Sequence, residues 1–276
     1  MNTLITASEL ETNLKTDPNI LICDCRFDLT QSSAGRESYT TGHIPGAIYI
    51  DLENDLSASK TGTNGRHPLP KPVQWAHTRQ RLGMAPQLHI VAYDNQGSMF
   101  ASRLWWMLRA IGHEKVQVLD GGFDSWKGMI STSIHNPIPL EQPLKPLEYQ
   151  GLVLADEVLN NITSQRRKVI DARSPDRFHG QNETLDPVGG HIPGALNRFF
   201  KDNLDSGKFK SPAMLRQEFT ALLGNMQASE VIHQCGSGVT ACHNLLAMEF
   251  AGLSGSNLYA GSWSEWCADS NRPVEI

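Results

Sequence analysis

The chain carries the same series of short motifs twice, and this internal duplication constrains its fold more than any other feature of the sequence. Five blocks recur in the same order at a separation of about 140 to 150 residues, which is the mark of a repeated structural unit. The paired blocks are ILICDCR (20–26) with KVIDAR (168–173), HIPGA (43–47) with HIPGA (191–195), IVAYDNQG (90–97) with VIHQCGSG (231–238), LWWMLRAIG (104–112) with LLAMEFAGL (245–253), and LDGGFDSW (119–126) with YAGSWSEW (259–266). The sequence therefore predicts two copies of one domain.

The segment between the copies separates the two predicted domains. Residues 135–149 read HNPIPLEQPLKPLEY, with four prolines and few positions suited to a helix, and such a composition is typical of a semi-extended linker. The predicted boundaries are a first domain at 1–134, a linker at 135–150 and a second domain at 151–276. Each copy alternates short apolar runs with helical segments, which predicts an α/β domain whose parallel sheet is covered by helices on both faces.

Composition and charge exclude several classes of function. Lys and Arg number 24 against 29 for Asp and Glu, and the net charge of −5 predicts no nucleic-acid partner. No apolar run is long enough to span a membrane, and Ser8 followed by Glu11 predicts a helix N-terminus where a signal peptide would lie. The five cysteines are an odd number, and Cys23 and Cys25 have no second pair at ligand spacing. We therefore expect a reduced, cytoplasmic protein without a metal site.

Cys235 lies where an apolar strand passes into a helix. Val231 and Ile232 begin a run typical of a buried strand, and helical spacing of apolar residues extends from about Val239 to Gly252. The thiol is therefore predicted at the carboxyl edge of the sheet and at a helix N-terminus, where unpaired N–H groups and the helix dipole favour an anion. We expect a partly ionised, nucleophilic cysteine rather than a buried structural one.

The two copies differ at this position. Asp94 of the first copy aligns with Cys235, and the first loop, DNQG, has one glycine where the second, CGSG, has two. Glycine lets such a loop turn its N–H groups inward, so Gly236 and Gly238 predict an anion-binding nest. The first domain is therefore expected to be a catalytically silent scaffold, and the second to be the catalytic domain.

The repeated HIPGA, the cysteine loop confined to the second copy and the final GSWSEW (261–266) resemble the two-domain rhodanese superfamily over essentially the whole chain. Within it the chain is most similar to the 3-mercaptopyruvate and thiosulfate sulfurtransferases. The resemblance implies two α/β domains with an active site in the cleft between them and a persulfide carried on Cys235. It implies no metal and no organic cofactor, because the cysteine itself carries the sulfur.

The loop CGSGVTA (235–241) is similar to that of 3-mercaptopyruvate sulfurtransferases, whereas animal thiosulfate sulfurtransferases have two basic residues after the cysteine. The implied reaction moves a sulfane sulfur from 3-mercaptopyruvate to cyanide, a small thiol or a thioredoxin-type dithiol. The loop residues predicted to bind the donor and the anionic sulfur are Gly236, Gly238, Val239 and Thr240. A thiosulfate:cyanide sulfurtransferase with the same persulfide is the nearest alternative.

The resemblance also implies a relay that handles protons at the donor. Ser237 matches its serine, His67 its histidine and Glu53 its acidic member. In such a relay a carboxylate orients an imidazole, and the imidazole orients a hydroxyl. Without the resemblance, His67 is interpreted as a solvated loop histidine.

One arginine of the expected donor site is present and another is missing. Arg177 matches the first substrate arginine of the mercaptopyruvate enzymes, where a forked guanidinium grips a carboxylate. Asp186 stands at the place of the second. The candidates to replace it, among which the sequence does not decide, are Arg66, Arg173 and Arg198. Arg173 also belongs to the Asp-x-Arg motif of both copies, for which we expect a structural role.

Functions of two other classes compete with sulfur transfer. A Cdc25-like phosphatase needs an arginine six residues after its cysteine, and Ala241 stands there instead. A non-catalytic rhodanese module used for binding fits the first copy, but not the intact loop of the second. We expect His43 and His191 of the HIPGA motifs to stabilise turns, and Cys242 to be a packed thiol rather than a second redox cysteine.

Overall fold

The chain forms two compact units in a computed structural model that describes residues 2–276. The first unit comprises residues 2–58 and 70–150, and the second comprises 59–69 and 151–276. The sequence places the segment 59–69 within the first copy, but the structure assigns it to the second unit. This assignment matters for the site, because the segment contains His67.

The proline-rich segment predicted as a linker belongs to the first unit. Residues 135–150 form neither helix nor strand. The N–H group of Leu140 donates to the carbonyl of Gln80 at 2.9 Å, and that of Gln150 donates to Ala110 at 2.7 Å. The segment therefore lacks regular secondary structure and is hydrogen-bonded to the first unit.

A five-stranded sheet flanked by helices forms the first unit. Its strands are β1 (Leu4–Ile5), β2 (Ile20–Asp24), β3 (Ile48–Tyr49), β4 (His89–Tyr93) and β5 (Val116–Leu119). Its helices are α1 (Ala7–Thr16), α2 (Ala34–Thr41), α3 (Pro72–Arg81), α4 (Ala101–Arg109) and α5 (Gly122–Ser125). All neighbouring strands are parallel, and their order across the sheet is β1-β5-β4-β2-β3.

The second unit repeats this sheet and adds a hairpin. Its strands are β6 (Leu152–Val153), β7 (Lys168–Asp171), β8 (Leu196–Asn197), β9 (Leu204–Asp205), β10 (Lys208–Phe209), β11 (Val231–Gln234) and β12 (Asn257–Tyr259). Its helices are α6 (Ala155–Ser164), α7 (Pro175–Phe178), α8 (Pro212–Leu223), α9 (Thr240–Phe250) and α10 (Ser262–Trp266), with 3₁₀ turns at Phe200–Asn203 and Ala228–Glu230. The parallel sheet has the order β6-β12-β11-β7-β8, and β9 pairs with β10 in antiparallel fashion.

The strand orders of the two sheets correspond one to one, which confirms the predicted duplicated α/β fold. The middle strands β4 and β11 are buried along their whole length, as expected for parallel strands covered on both faces. Each middle strand ends directly before the position at which the two copies differ, Asp94 or Cys235. Among residues 2–276, no helix combines the length and the apolar character needed to cross a bilayer.

The first helix begins two residues earlier than predicted. Thr6, not Ser8, is its N-cap: the Thr6 hydroxyl accepts from Glu9 N–H at 3.3 Å, and the Glu9 carboxylate accepts from Thr6 N–H at 2.8 Å. The prediction of Ser8 with Glu11 was therefore wrong, although a capping box opens the helix. Thr6 takes this role because it follows β1 directly and keeps the extended backbone that a cap requires.

The motifs shared by both copies stabilise the fold. Each buried Asp-x-Arg pair forms an ion pair and a hydrogen bond to a glycine carbonyl, and the sets are Arg26 with Asp24 and Gly42, and Arg173 with Asp171 and Gly190. The expected structural role of the motif is confirmed. A charge buried in this way needs such a partner, since an unpaired charge is costly in the interior.

The HIPGA histidines also have matching surroundings. His43 Nδ1 lies 2.7 Å from the Tyr39 carbonyl and its ring stacks on Tyr39 at 3.9 Å. His191 Nδ1 lies 3.0 Å from the Phe178 carbonyl and its ring stacks on Phe178 at 3.8 Å. These contacts fix the chain between a helix and the following turn, as predicted.

Candidate active site at the loop after strand β11

Cys235 follows the last residue of β11, and α9 begins five residues later at Thr240. This confirms the predicted passage from strand to loop to helix N-terminus. Cys235 is 2% exposed, and its sulfur accepts a hydrogen bond from the Gly238 N–H group at 3.2 Å. The sulfur therefore lies against an N–H donor of the loop that leads into α9.

The backbone of the cysteine loop is held by the N-terminus of α10. The Cys235 N–H group donates to Ser262 Oγ at 3.1 Å. The carbonyls of Cys235 and Gly236 accept from the N–H groups of Trp263 and Ser264, each at 2.9 Å. These contacts link the motif GSWSEW (261–266) to the loop. Sequence reasoning did not predict this link, because the motif lies in the last stretch of the chain.

Gly238 allows the loop to turn back on itself. Its φ is +75°, in the left-handed region that favours glycine, and a Cβ there would lie 2.2 Å from the carbonyl oxygen of Ala260. Val239 is buried beside it, and Thr240 starts the helix. Of the loop residues predicted to bind the anionic sulfur, Gly238 contacts the Cys235 sulfur through its N–H group.

Ser237 and His67 are joined by a hydrogen bond within the second unit. His67 Nδ1 lies 2.8 Å from Ser237 Oγ, and the two residues are 5% and 7% exposed. His67 is therefore not a solvated loop histidine. A hydroxyl held by an imidazole two residues after the nucleophile is suited to moving a proton at a bound donor.

Glu53, the predicted acidic member of the relay, belongs to the first unit. It lies in the turn after β3, where its N–H group donates to Asp51 Oδ1 at 2.9 Å. Its pairing with His67 stays a prediction.

Arg177 lies at the end of α7 and forms a two-pronged ion pair with Glu183. Arg177 Nε and Nη2 lie 3.0 and 2.8 Å from Glu183 Oε2. Burial opposes ionisation of Glu183, but hydrogen bonds from Arg177 and from the N–H groups of Leu185 and Asp186 outweigh it, so its pKa lies below the ordinary value. Sequence reasoning missed Glu183, since nothing but the folding of its loop brings it back to the arginine.

Of the three candidates to replace the missing arginine, Arg66 lies near Asp186. Its Nη1 forms an ion pair with Asp186 Oδ1, and its Nη2 would be 2.6 Å from a Cβ placed on Gly236. The other two candidates have different partners. Arg173 is held by Asp171, and Arg198 lies 2.5 Å from Glu218.

Cys242 lies in the first turns of α9, where its thiol donates to the Gly238 carbonyl at 3.3 Å. It is fully buried. This is the packed thiol that the sequence predicts.

The equivalent loop of the first unit shows what its N–H groups bind. The buried Asp94 carboxylate accepts four backbone hydrogen bonds of 2.8 to 3.0 Å, from Gln96, Ser98, Phe100 and Ala101. Burial raises the pKa of Asp94, and these N–H groups act against that rise. In the first unit, the loop after the middle strand therefore surrounds an acidic side chain with N–H donors.

Fold and site together define a duplicated α/β protein with a cysteine-bearing anion loop in its second copy. A family model described as the rhodanese-like domain matches residues 6–129 and again 154–269. The chain therefore belongs to the rhodanese family, with two such domains.

Individual relatives agree with this assignment. A Pseudomonas aeruginosa protein, described provisionally as a 3-mercaptopyruvate sulfurtransferase, is 44% identical over 98% of this chain and 97% of its own. A Mycobacterium tuberculosis protein, described provisionally as a thiosulfate sulfurtransferase, is 35% identical over 98% of this chain and 96% of its own. The solved structure of a 3-mercaptopyruvate sulfurtransferase from Leishmania major superposes with a TM-score of 0.87 at 29% identity, covering 99% of this chain and 76% of that one. These relatives identify the chain as a sulfurtransferase.

Proposed function

We propose that the protein moves a sulfane sulfur from 3-mercaptopyruvate, through a persulfide on Cys235, to cyanide, a small thiol or a thioredoxin-type dithiol. The observation that carries this proposal is the combination of a Cys235 thiol inside an anion loop with a Ser237–His67 hydrogen bond of 2.8 Å beside it. The reaction needs no metal or organic cofactor, because one sulfur atom stores the transferred group.

In the first half-reaction the Cys235 thiolate attacks the donor sulfur and a sulfur–sulfur bond forms. The carbon–sulfur bond of the donor breaks, and its electron pair passes to carbon as the enolate of pyruvate. The proton of the donor thiol balances the step, since it leaves the outer sulfur while a proton is added to the enolate carbon. Ser237 and His67 are placed to carry that proton.

In the second half-reaction the acceptor attacks the outer sulfur. The sulfur–sulfur bond breaks, and its electron pair returns to Cys235 as the thiolate. Asp94 in the first unit supports binding of the persulfide by loop N–H groups. The carboxylate oxygens of an aspartate are bonded to Cγ, and the outer sulfur of a persulfide is bonded to Sγ, so both groups lie at the same number of bonds from Cβ. Four N–H groups bind that carboxylate, and the corresponding loop of the second unit offers its own N–H groups to an anionic sulfur.

The uncharged loop supports the choice of donor. Gly236 and Ser237 add no positive charge beside the nucleophile, and the nearby arginines Arg66 and Arg177 are paired with Asp186 and Glu183. A site with balanced charges favours a singly charged donor over the doubly charged thiosulfate. We place the reaction in a reducing compartment such as the cytoplasm, because oxidation of Cys235 would remove the nucleophile.

The test is kcat/KM for 3-mercaptopyruvate and for thiosulfate on one preparation, with cyanide as acceptor. We expect a ratio of at least ten for 3-mercaptopyruvate, which is about 1.4 kcal/mol of transition-state discrimination. A ratio that favours thiosulfate would contradict 3-mercaptopyruvate as the donor, but would be consistent with the persulfide on Cys235. Turnover of neither donor, with no sulfur retained on the purified protein, would overturn sulfur transfer itself.

A further inference from the structure

A cavity of about 430 Å³ lies in the first unit, beside the edge strand β3. Its walls come from α2, from β3 and the turn after it, from the end of α3, and from the segment 134–137. All of these elements belong to the first unit, so the cavity is separate from the cysteine loop of the second. Its volume falls within the range of about 300 to 1,000 Å³ that is typical of small-molecule sites.

Asp51 brings a buried carboxylate with one open oxygen to this cavity. The residue is 8% exposed, and its Oδ1 accepts the N–H groups of Glu53 and Asn54, each at 2.9 Å. Its Oδ2 accepts no hydrogen bond from any residue in the described range 2–276, and it is not an enclosed atom, so it is reached from the cavity. A buried carboxylate oxygen without a donor is uncommon, because burial removes the water that would otherwise solvate it.

Arg36 brings the opposite charge to the same cavity. Its guanidinium lies over the ring of Tyr49, 4.7 Å from the ring centroid, and both residues line the cavity. Within the part of the chain that the structure describes, this guanidinium forms no ion pair. The other acidic and arginine side chains of the wall, Asp55 and Arg81, form an ion pair with each other. The cavity therefore presents one open cation and one open anion.

The rest of the wall includes apolar side chains. Leu82 is buried at the end of α3, and Ile134, which is exposed, lies in the segment 134–137. The ring of Tyr39 is buried beside them. A ligand that fits this lining carries two opposite charges at one end and an apolar group at the other.

We propose that this cavity binds a small α-amino acid with an apolar side chain. Arg36 binds the carboxylate of the ligand, and Asp51 Oδ2 accepts hydrogen bonds from its ammonium group. A ligand with only one charge would leave either the arginine or the buried carboxylate without a partner. Binding at Oδ2 leaves both hydrogen bonds of Oδ1 in place, so the turn that carries Glu53 does not have to move.

The test is calorimetry of the full-length protein with three probes that share one apolar group. L-leucine has both charges, 4-methylpentanoate lacks the ammonium group, and 3-methylbutylamine lacks the carboxylate. Leucine should bind, and each of the other two should bind at least about tenfold more weakly. Equal binding of 4-methylpentanoate would contradict the role of Asp51, and equal binding of 3-methylbutylamine would contradict that of Arg36. No binding of leucine up to about 10 mM would overturn the proposal.

Two variants assign leucine binding to this cavity. Arg36→Gln and Asp51→Asn should each weaken it at least about tenfold, since each removes one of the two open charges. Arg36→Lys keeps the charge but not the fork and should show a smaller loss. Arg36 is exposed, so its variants keep the test valid if Asp51→Asn does not fold. Unchanged leucine binding in the Arg36 variants would overturn the proposal.

Asp28→Asn is the matched control for Asp51→Asn. Asp28 Oδ1 accepts the N–H groups of Thr30 and Gln31 at 2.7 and 3.2 Å, which is the same turn pattern outside the cavity. This variant should leave leucine binding unchanged, and a loss equal to that of Asp51→Asn would contradict a local effect. Pyruvate, the product of the proposed reaction, has no ammonium group and should not displace leucine. Displacement by equimolar pyruvate would place leucine at the donor site and overturn the proposal.

Discussion

Asp94 and Cys235 occupy the same position in two sheets of identical strand order, and the loops around them are built differently. In the first unit the helix after the loop begins at Ala101, whereas in the second it begins at Thr240, two positions earlier in the repeat. The longer loop closes around the carboxylate, which takes four N–H groups for itself. In the shorter loop, which has two glycines, the N–H group of Gly238 donates to the thiol that accepts and releases a sulfur atom in the proposed reaction.

The comparison separates what the fold supplies from what chemistry requires. Both units place an acidic side chain, Asp94 or Cys235, directly after the middle strand, and both hold the buried Asp-x-Arg pair and the stacked HIPGA histidine. What the second unit adds is the Cys235 thiol, Ser237 in hydrogen-bond contact with His67, and the ion pairs Arg66–Asp186 and Arg177–Glu183. A loop that directs N–H groups at an acidic side chain is therefore a property of the fold, and the proposed reaction depends on the thiol and its neighbours.

Removal of the nucleophile should have the largest effect. Cys235→Ser should reduce sulfur transfer by about 10⁴-fold or more, because a serine hydroxyl at this pH is not ionised and cannot form a persulfide. The measurement is turnover with either donor, together with the mass of the intact protein after incubation with donor. Retained turnover, or a sulfur adduct on another cysteine such as Cys242, would contradict the assignment of Cys235 as the residue that carries the sulfur.

Loss of the Ser237 hydroxyl should have the next largest effect. Ser237→Ala should lower kcat/KM for 3-mercaptopyruvate by about 100-fold and that for thiosulfate by much less, since thiosulfate leaves no enolate to protonate. The matched control is Gln96→Ala, at the equivalent position of the first unit, which should leave both values unchanged. Equal loss for the two donors would contradict the proton-handling role of the pair with His67.

Removal of the resident carboxylate should have the smallest effect and should change stability rather than activity. Asp94→Ala leaves four buried N–H groups without their acceptor and should cost the first unit about 2 kcal/mol, whereas Asp94→Asn, which keeps one oxygen, should cost less. Hydrogen exchange of the amides in the first turn of α4 reports the loss locally. Unchanged protection in the alanine variant would show that the nest does not depend on its anion, and a loss of turnover per folded protein would contradict the silent role of the first unit.

Most of the fold could be predicted from the sequence, because the duplication presents each motif twice. ILICDCR and KVIDAR identify the same strand, and HIPGA identifies the same turn, so an ambiguous reading of one copy is settled by the other. The error at the first helix has a local cause, since Thr6 and Ser8 both suit an N-cap and only the end of β1 selects Thr6. The path of 59–69 escaped prediction, because no repeated motif marks it.

The site divides in the same way. The sequence by itself determined where Cys235 and its loop lie, because Cys235, Gly236, Ser237 and Gly238 are contiguous and stand between a strand and a helix N-terminus. Tertiary structure alone decided that Arg66 rather than Arg173 or Arg198 lies beside Asp186, that Glu183 returns to Arg177, and that His67 meets Ser237 at 2.8 Å. These contacts join residues in loops that are positioned by packing against α7 and α10. Packing of that kind produces no periodic pattern in the sequence, so it could not be predicted.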